Sequence, residues 1–70
     1  MGDLLDAPPL SPRQREVLGL LADGLGPEAI AIRLGLSLPT VRNHVSAVLR
    51  RLGCHSQLEA VAAARRRGLI

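Results

Sequence analysis

The sequence predicts an all-α fold, a four-helix bundle-like domain with helices at about 12–23, 27–34, 38–52 and 57–67. Three observations carry that prediction. Apolar residues recur at helical spacing, each periodic stretch opens on a capping residue or proline and closes on glycine, and no alternating run offers a strand. Nothing repeats internally beyond the Gly-Leu pair that follows three of the stretches.

Each element has its own start and stop. Residues 1–9 (MGDLLDAPP) lack a sustained period, end in Pro8-Pro9 and read as a disordered tail or linker, leaving 10–70 as the domain. Ser11-Pro12-Arg13-Gln14 supplies a capping serine, a first-turn proline and a glutamine three residues after the cap, the pattern of a capping box. Val17, Leu18, Leu21 and Ala22 form the apolar side of the first helix, which stops near Asp23 before Gly24-Leu25. Gly26-Pro27-Glu28 opens the second helix, with an acid at the positive end of its dipole, and Gly35 closes it after about two turns. Leu36 then drops back toward the core and Ser37 caps the third helix, whose stripe is Val41, Val45, Val48, Leu49 and Leu52. Ser56-Gln57-Leu58-Glu59 reads as a second capping box, opening a fourth helix that packs through Val61 and Ala64 and ends in Gly68-Leu69.

Composition narrows the function classes. The chain has 70 residues, close to the smallest size at which an apolar core holds without disulfide or metal. It contains no Phe, Tyr or Trp, so it lacks the stacking platforms of a single-stranded nucleic-acid binder. The single cysteine, Cys54, has no partner for an internal disulfide, and no apolar run approaches a membrane span, so the chain reads as soluble and cytoplasmic with no membrane role. All nine basic residues are arginine, and over residues 10–70 they face only Glu16, Asp23, Glu28 and Glu59, a net charge of +5. That excess suits a polyanion such as duplex DNA, and it equally suits a surface that keeps a small protein in solution.

The spacing between Ile30 and Val41 is more specific. A small Ala31 where another helix must cross, a turn at Gly35, an inward Leu36 and a capped helix from Ser37 occur at the intervals of a helix-turn-helix. The third helix then becomes the recognition helix, with Arg42, Asn43, Ser46 and Arg50 opposite its apolar stripe. A guanidinium pairs bidentately with guanine and an amide with adenine, so Arg42 and Asn43 are the candidate base readers; Ser46 fits a base or a phosphate. Thr40 and the backbone amides of the first turn suit a phosphate oxygen, as do Arg50, by its reach, and Arg33. His44 either packs at the junction of the second and third helices or meets a phosphate. Cys54-His55 forms no catalytic or metal site, because neither a second thiol nor an orienting acid accompanies it; Cys54 instead fills a small core position. Arg65-Arg66-Arg67 complements the negative end of the fourth helix. The chain is therefore not read as an enzyme, and no cofactor is expected.

The segments Leu10-Ser11-Pro12-Arg13, Arg15-Glu16-Val17-Leu18, Ala22-Asp23-Gly24, Ile30-Ala31, Leu34-Gly35-Leu36-Ser37, Thr40-Val41-Arg42-Asn43-His44-Val45, Leu49-Arg50-Arg51-Leu52-Gly53 and Glu59-Ala60-Val61 resemble the LuxR-type helix-turn-helix domain, also called GerE- or FixJ-type. The resemblance covers residues 10–70 almost without gaps. It implies the output domain of a transcription regulator that binds double-stranded DNA as a dimer, with the positions of Arg42, Asn43 and Ser46 facing the bases. It also implies that the last helix supplies the homodimer contact, for which Leu58, Ala62 and Arg65 are the candidates; RNA polymerase is a further candidate partner. Five positions depart from the pattern: Gln14 stands where an acid is usual, Glu28-Ala29 replaces a basic-acidic pair, Ile32 is apolar at an outward position, and Pro39 sits second in its helix. The rival readings are the promoter-binding C-terminal region of a sigma factor, which would end soon after the recognition helix, and a DNA-independent protein-interaction module on the same fold.

Overall fold

Serine caps and glycine stops divide the chain where the sequence places them. The computed structural model describes residues 10–70, so the expected tail at 1–9 lies outside the described residues. Four helices follow one another: α1 (Pro12–Ala22), α2 (Pro27–Leu34), α3 (Leu38–Leu52) and α4 (Gln57–Arg66). The expected helices at 12–23 and 57–67 each end one residue early. Asp23 and Arg67 have left the helical conformation at ψ near 0° while their N–H groups still bond back into the last turn.

The starts show why serine recurs. Ser11 accepts from the Gln14 N–H at 3.1 Å while the Gln14 side chain accepts from the Ser11 N–H at 3.0 Å, a complete capping box. Ser37 accepts from the Thr40 N–H at 3.2 Å. Ser56 accepts from the Glu59 N–H at 3.1 Å, but the Glu59 carboxylate takes the His55 N–H at 2.6 Å rather than that of Ser56. The second capping box is thus displaced by one residue. Ser56 enters α4 at φ −146°, against −68° for Ser11, and the altered peptide orientation offers the carboxylate the preceding N–H.

One closure ends all four helices. After each, an N–H bonds five residues back, Leu25 to Leu20, Leu36 to Ala31, Cys54 to Leu49 and Leu69 to Ala64, at 2.8–3.0 Å. The intervening residue must be left-handed, and Gly35 takes φ +68°, ψ +33°, a conformation that strains any residue with a Cβ. The closure also folds Leu36 back onto the core, which sets the turn between α2 and α3.

The interior consists of two apolar clusters joined along α3. Val17 and Leu21 of α1, Ile30 and Ala31 of α2, and Val41 and Val45 of α3 make one. Leu10, Leu18 of α1, Val48 and Leu52 of α3, and Ala60 and Ala64 of α4 make the other, and Leu49 touches both. Ala31 is buried in the first cluster with Val41 and Val45, as a crossing helix requires. The inward side of α4 is Ala60, Ala63 and Ala64, while Val61, expected inside, is half-buried at the edge. Alanine lets the α4 backbone come close to Val48 and Leu52, and the bulkier valine is turned to the rim. Cys54 is half-buried against the second cluster, with Sγ 3.6 Å from the Leu52 carbonyl oxygen.

Ile30 is fully buried and Ile32, two residues on, is 84% exposed. Urea denaturation should show Ile30→Ala losing about 2–5 kcal/mol and Ile32→Ala changing stability by no more than about 0.5 kcal/mol; equal losses would contradict the placement of α2. Ser37→Ala should cost about 1 kcal/mol and Ser37→Asp should recover most of it, whereas no loss in the alanine variant would show that the cap on α3 is not made in solution.

Candidate nucleic-acid interface

The first turn of α3 is poorer in backbone donors than its position suggests. Pro39 has no N–H, the Thr40 N–H is taken by Ser37, and the Val41 N–H bonds to the Ser37 carbonyl at 3.0 Å. Among the first-turn amides that leaves the Leu38 N–H, so the expected phosphate contact through several backbone groups shrinks. The Thr40 hydroxyl is better placed. It accepts from the Ser37 hydroxyl at 2.9 Å, which leaves its own proton available to donate.

Beyond this turn, Val41, Val45, Val48 and Leu52 are buried. On a helix of 3.6 residues per turn, Asn43, Ser46 and Arg50 stand opposite that stripe, whereas Arg42 lies on its flank beside Val45 and Leu49. All four polar residues are exposed, and none has a hydrogen-bond or ion-pair partner among the described residues. An exposed helix face with two guanidinium groups, an amide and a hydroxyl, none engaged within the chain, can donate to phosphates and to base edges alike.

The candidate phosphate residues are spread more widely. Arg33 is exposed in the last turn of α2, and His44 is half-buried on the α3 flank away from Arg42. On α4, Leu58, Ala62 and Arg65 are exposed and share the face opposite the buried alanines. Leu58, 82% exposed, borders a shallow apolar cleft with Leu21, Leu25 and Val61.

Two features escaped the reading of the residues alone. A cleft runs along the Arg42 flank of α3, lined by Pro27 and Glu28 from α2, Arg42, Val45, Ser46 and Leu49 from α3, and Gln57 from α4. No period in the sequence signals it, because three separate helices meet there. Arg67, expected to complement the end of its own helix, instead donates to the Leu52 carbonyl at 3.3 Å and so satisfies the end of α3. Among the described residues no group of three His, Cys, Asp or Glu gathers in a metal-binding arrangement, and no helix is long and apolar enough to cross a membrane.

Comparison with known proteins agrees with this architecture. Residues 8–64 match the family described as bacterial regulatory proteins, luxR family. The chain is 38% identical over 63 residues to the transcriptional regulatory protein DesR of Bacillus subtilis (strain 168), covering 90% of this chain and 32% of that protein. It is 42% identical over 64 residues to the probable transcriptional regulatory protein NarL of Mycobacterium tuberculosis (strain H37Rv), covering 91% and 30%. The chain thus spans about a third of the length of these curated relatives. Among solved structures, the transcription factor GerE superposes with a TM-score of 0.78 at 35% identity, over 86% of this chain and 90% of that one. The response regulator ChrA of a heme-sensing two-component system superposes with a TM-score of 0.87 at 35% identity, over 90% and 31%. The expected all-α helix-turn-helix architecture and the expected family coincide, and the chain belongs to the luxR family of bacterial regulatory proteins.

Proposed function

We propose that residues 10–70 form the output domain of a transcription regulator, binding double-stranded DNA sequence-specifically with α3 in the major groove. The observation that carries this reading is the exposed polar surface of α3, where Asn43, Ser46 and Arg50 stand opposite the apolar stripe and Arg42 on its flank, all with side chains unpartnered among the described residues. In this reading Arg42 and Asn43 read bases, Ser46 contributes a shorter contact, and Thr40, His44, Arg50 and Arg33 meet the backbone. The net positive charge strengthens attraction to the duplex. The family match favours this reading over the sigma-factor region, as does the capped α4 after the recognition helix. The relatives carry the names of transcriptional regulators, and the chemistry assigned to this chain is binding alone.

A homodimer through Leu58, Ala62 and Arg65 completes the proposal. Their face of α4 is unburied, and Leu58 is a large apolar side chain left in water. Two copies related by a two-fold axis would read a palindromic site with half-sites about 10 base pairs apart. Contact with RNA polymerase is the remaining part of the proposal, and Ile32 is the exposed large apolar side chain on α2 available to it. A cytoplasmic location, beside the DNA, follows from the same reading.

Arg42→Ala should weaken binding to the preferred duplex by about 1–3 kcal/mol with a much smaller effect on random DNA. Arg50→Ala should weaken both alike and reduce the salt slope by about 1. Equal loss on both duplexes from Arg42→Ala would remove its base-reading role. Ala62→Glu should abolish cooperative binding to a two-half-site duplex while leaving single half-site affinity unchanged; retained cooperativity would place the dimer contact elsewhere.

A further inference from the structure

Glu28 is the charged group beside the recognition face that DNA binding leaves without a task. It is exposed, it forms no ion pair among the described residues, and it lines the same cleft as Arg42 and Ser46. Its carboxylate is turned back toward the start of α2, with Oε1 3.7 Å from the point a Cβ on Gly26 would occupy. No side chain caps α2, and Pro27 brings no N–H, so an acid in this first turn is held by the helix dipole. Glu28 stands at the edge of the cleft that Arg42 also lines, on an exposed side chain free to turn.

A carboxylate next to a docked duplex is repelled by phosphate unless a cation neutralises it. Arg42 is the cation across this cleft, and Val45 and Leu49 between the two helices give the cleft an apolar floor. Covering such a floor with DNA excludes water and strengthens an ion pair above it. A guanidinium carries five N–H donors in a rigid fork, enough to engage a carboxylate on one edge and the O6 and N7 of guanine on another. We propose that Glu28 is a positioning residue for base reading: in the complex it accepts from the Arg42 guanidinium and aligns the free edge of that group with guanine. Where Arg42 has no guanine to meet, the same carboxylate repels the backbone and weakens binding, so a single residue both sharpens the preferred contact and penalises the wrong one. This inference rests on the DNA-binding reading of α3.

The test compares the unmodified chain, Glu28→Gln, Arg42→Ala and the double variant on the preferred duplex selected from a random library, on its single-base variants and on random duplex. Glu28→Gln should tighten binding to random duplex by about 2- to 5-fold and reduce discrimination at the one base pair read by Arg42 by roughly 5-fold or more. Discrimination elsewhere should be preserved, and in the Arg42→Ala background the glutamine should change no base preference. Uniform tightening with all base preferences intact would overturn the proposal, as would a preference lost at a different base pair. Binding of the unmodified chain and the effect of Arg42→Ala test the DNA-binding reading separately. Glu28 is exposed, and the thermal midpoint of Glu28→Gln, read by circular dichroism, should stay within a few degrees of the parent.

Discussion

The apolar stripe of α3 is the contact on which the other helices depend. Val41 and Val45 hold α1 and α2, and Val48 and Leu52 hold α1 and α4, so one helix supplies an apolar wall to both clusters. Because the stripe is engaged along its length, rotation of α3 about its axis is fixed. Turning it by one residue, about 100°, would place Arg42 toward the interior and expose Val41. The outward aim of Asn43, Ser46 and Arg50 is therefore set by the aliphatic packing behind them.

A chain of this size has little apolar area to bury, and its local devices compensate. Three serines each satisfy an otherwise orphaned N–H, worth about 1 kcal/mol apiece. The four glycine closures satisfy terminal carbonyls and return a hydrophobic side chain or Cys54 to the core at each stop. Arg67 adds the Leu52 carbonyl to that account, linking the ends of α3 and α4. By contrast the Arg13–Glu16 pair, 3.1 Å apart on the exposed side of α1, contributes little in water.

The elements were legible because their boundaries are local chemistry. Ser-Pro and Gly-Leu act within a few residues, and the expected limits of α2 and α3 coincide with the observed ones. The outer face of α3 was legible for the same reason, since one strong period separates Val41 and Val45 from Asn43 and Ser46. What escaped depends on tertiary neighbours. Val61 and Ala60 differ in burial because of how closely α3 approaches, and the second capping box slipped because Ser56 enters at a different φ. The cleft shared by Glu28, Arg42 and Gln57 exists only once three helices have packed, so no spacing announces it.

The candidate interface unites these levels: caps and stops fix where α3 begins and ends, two aliphatic clusters fix which way it faces, and four polar side chains, three on its outer face and Arg42 on the flank, are left for a partner. The most direct test of this account is selection of bound duplexes from a random library, with the affinity of the winner measured across a salt series. The account predicts one enriched motif with two-fold symmetry and half-sites about 10 base pairs apart, bound with log K falling linearly as log salt rises. Recovery of no motif, with binding to the pool indistinguishable from binding to any single sequence, would contradict it.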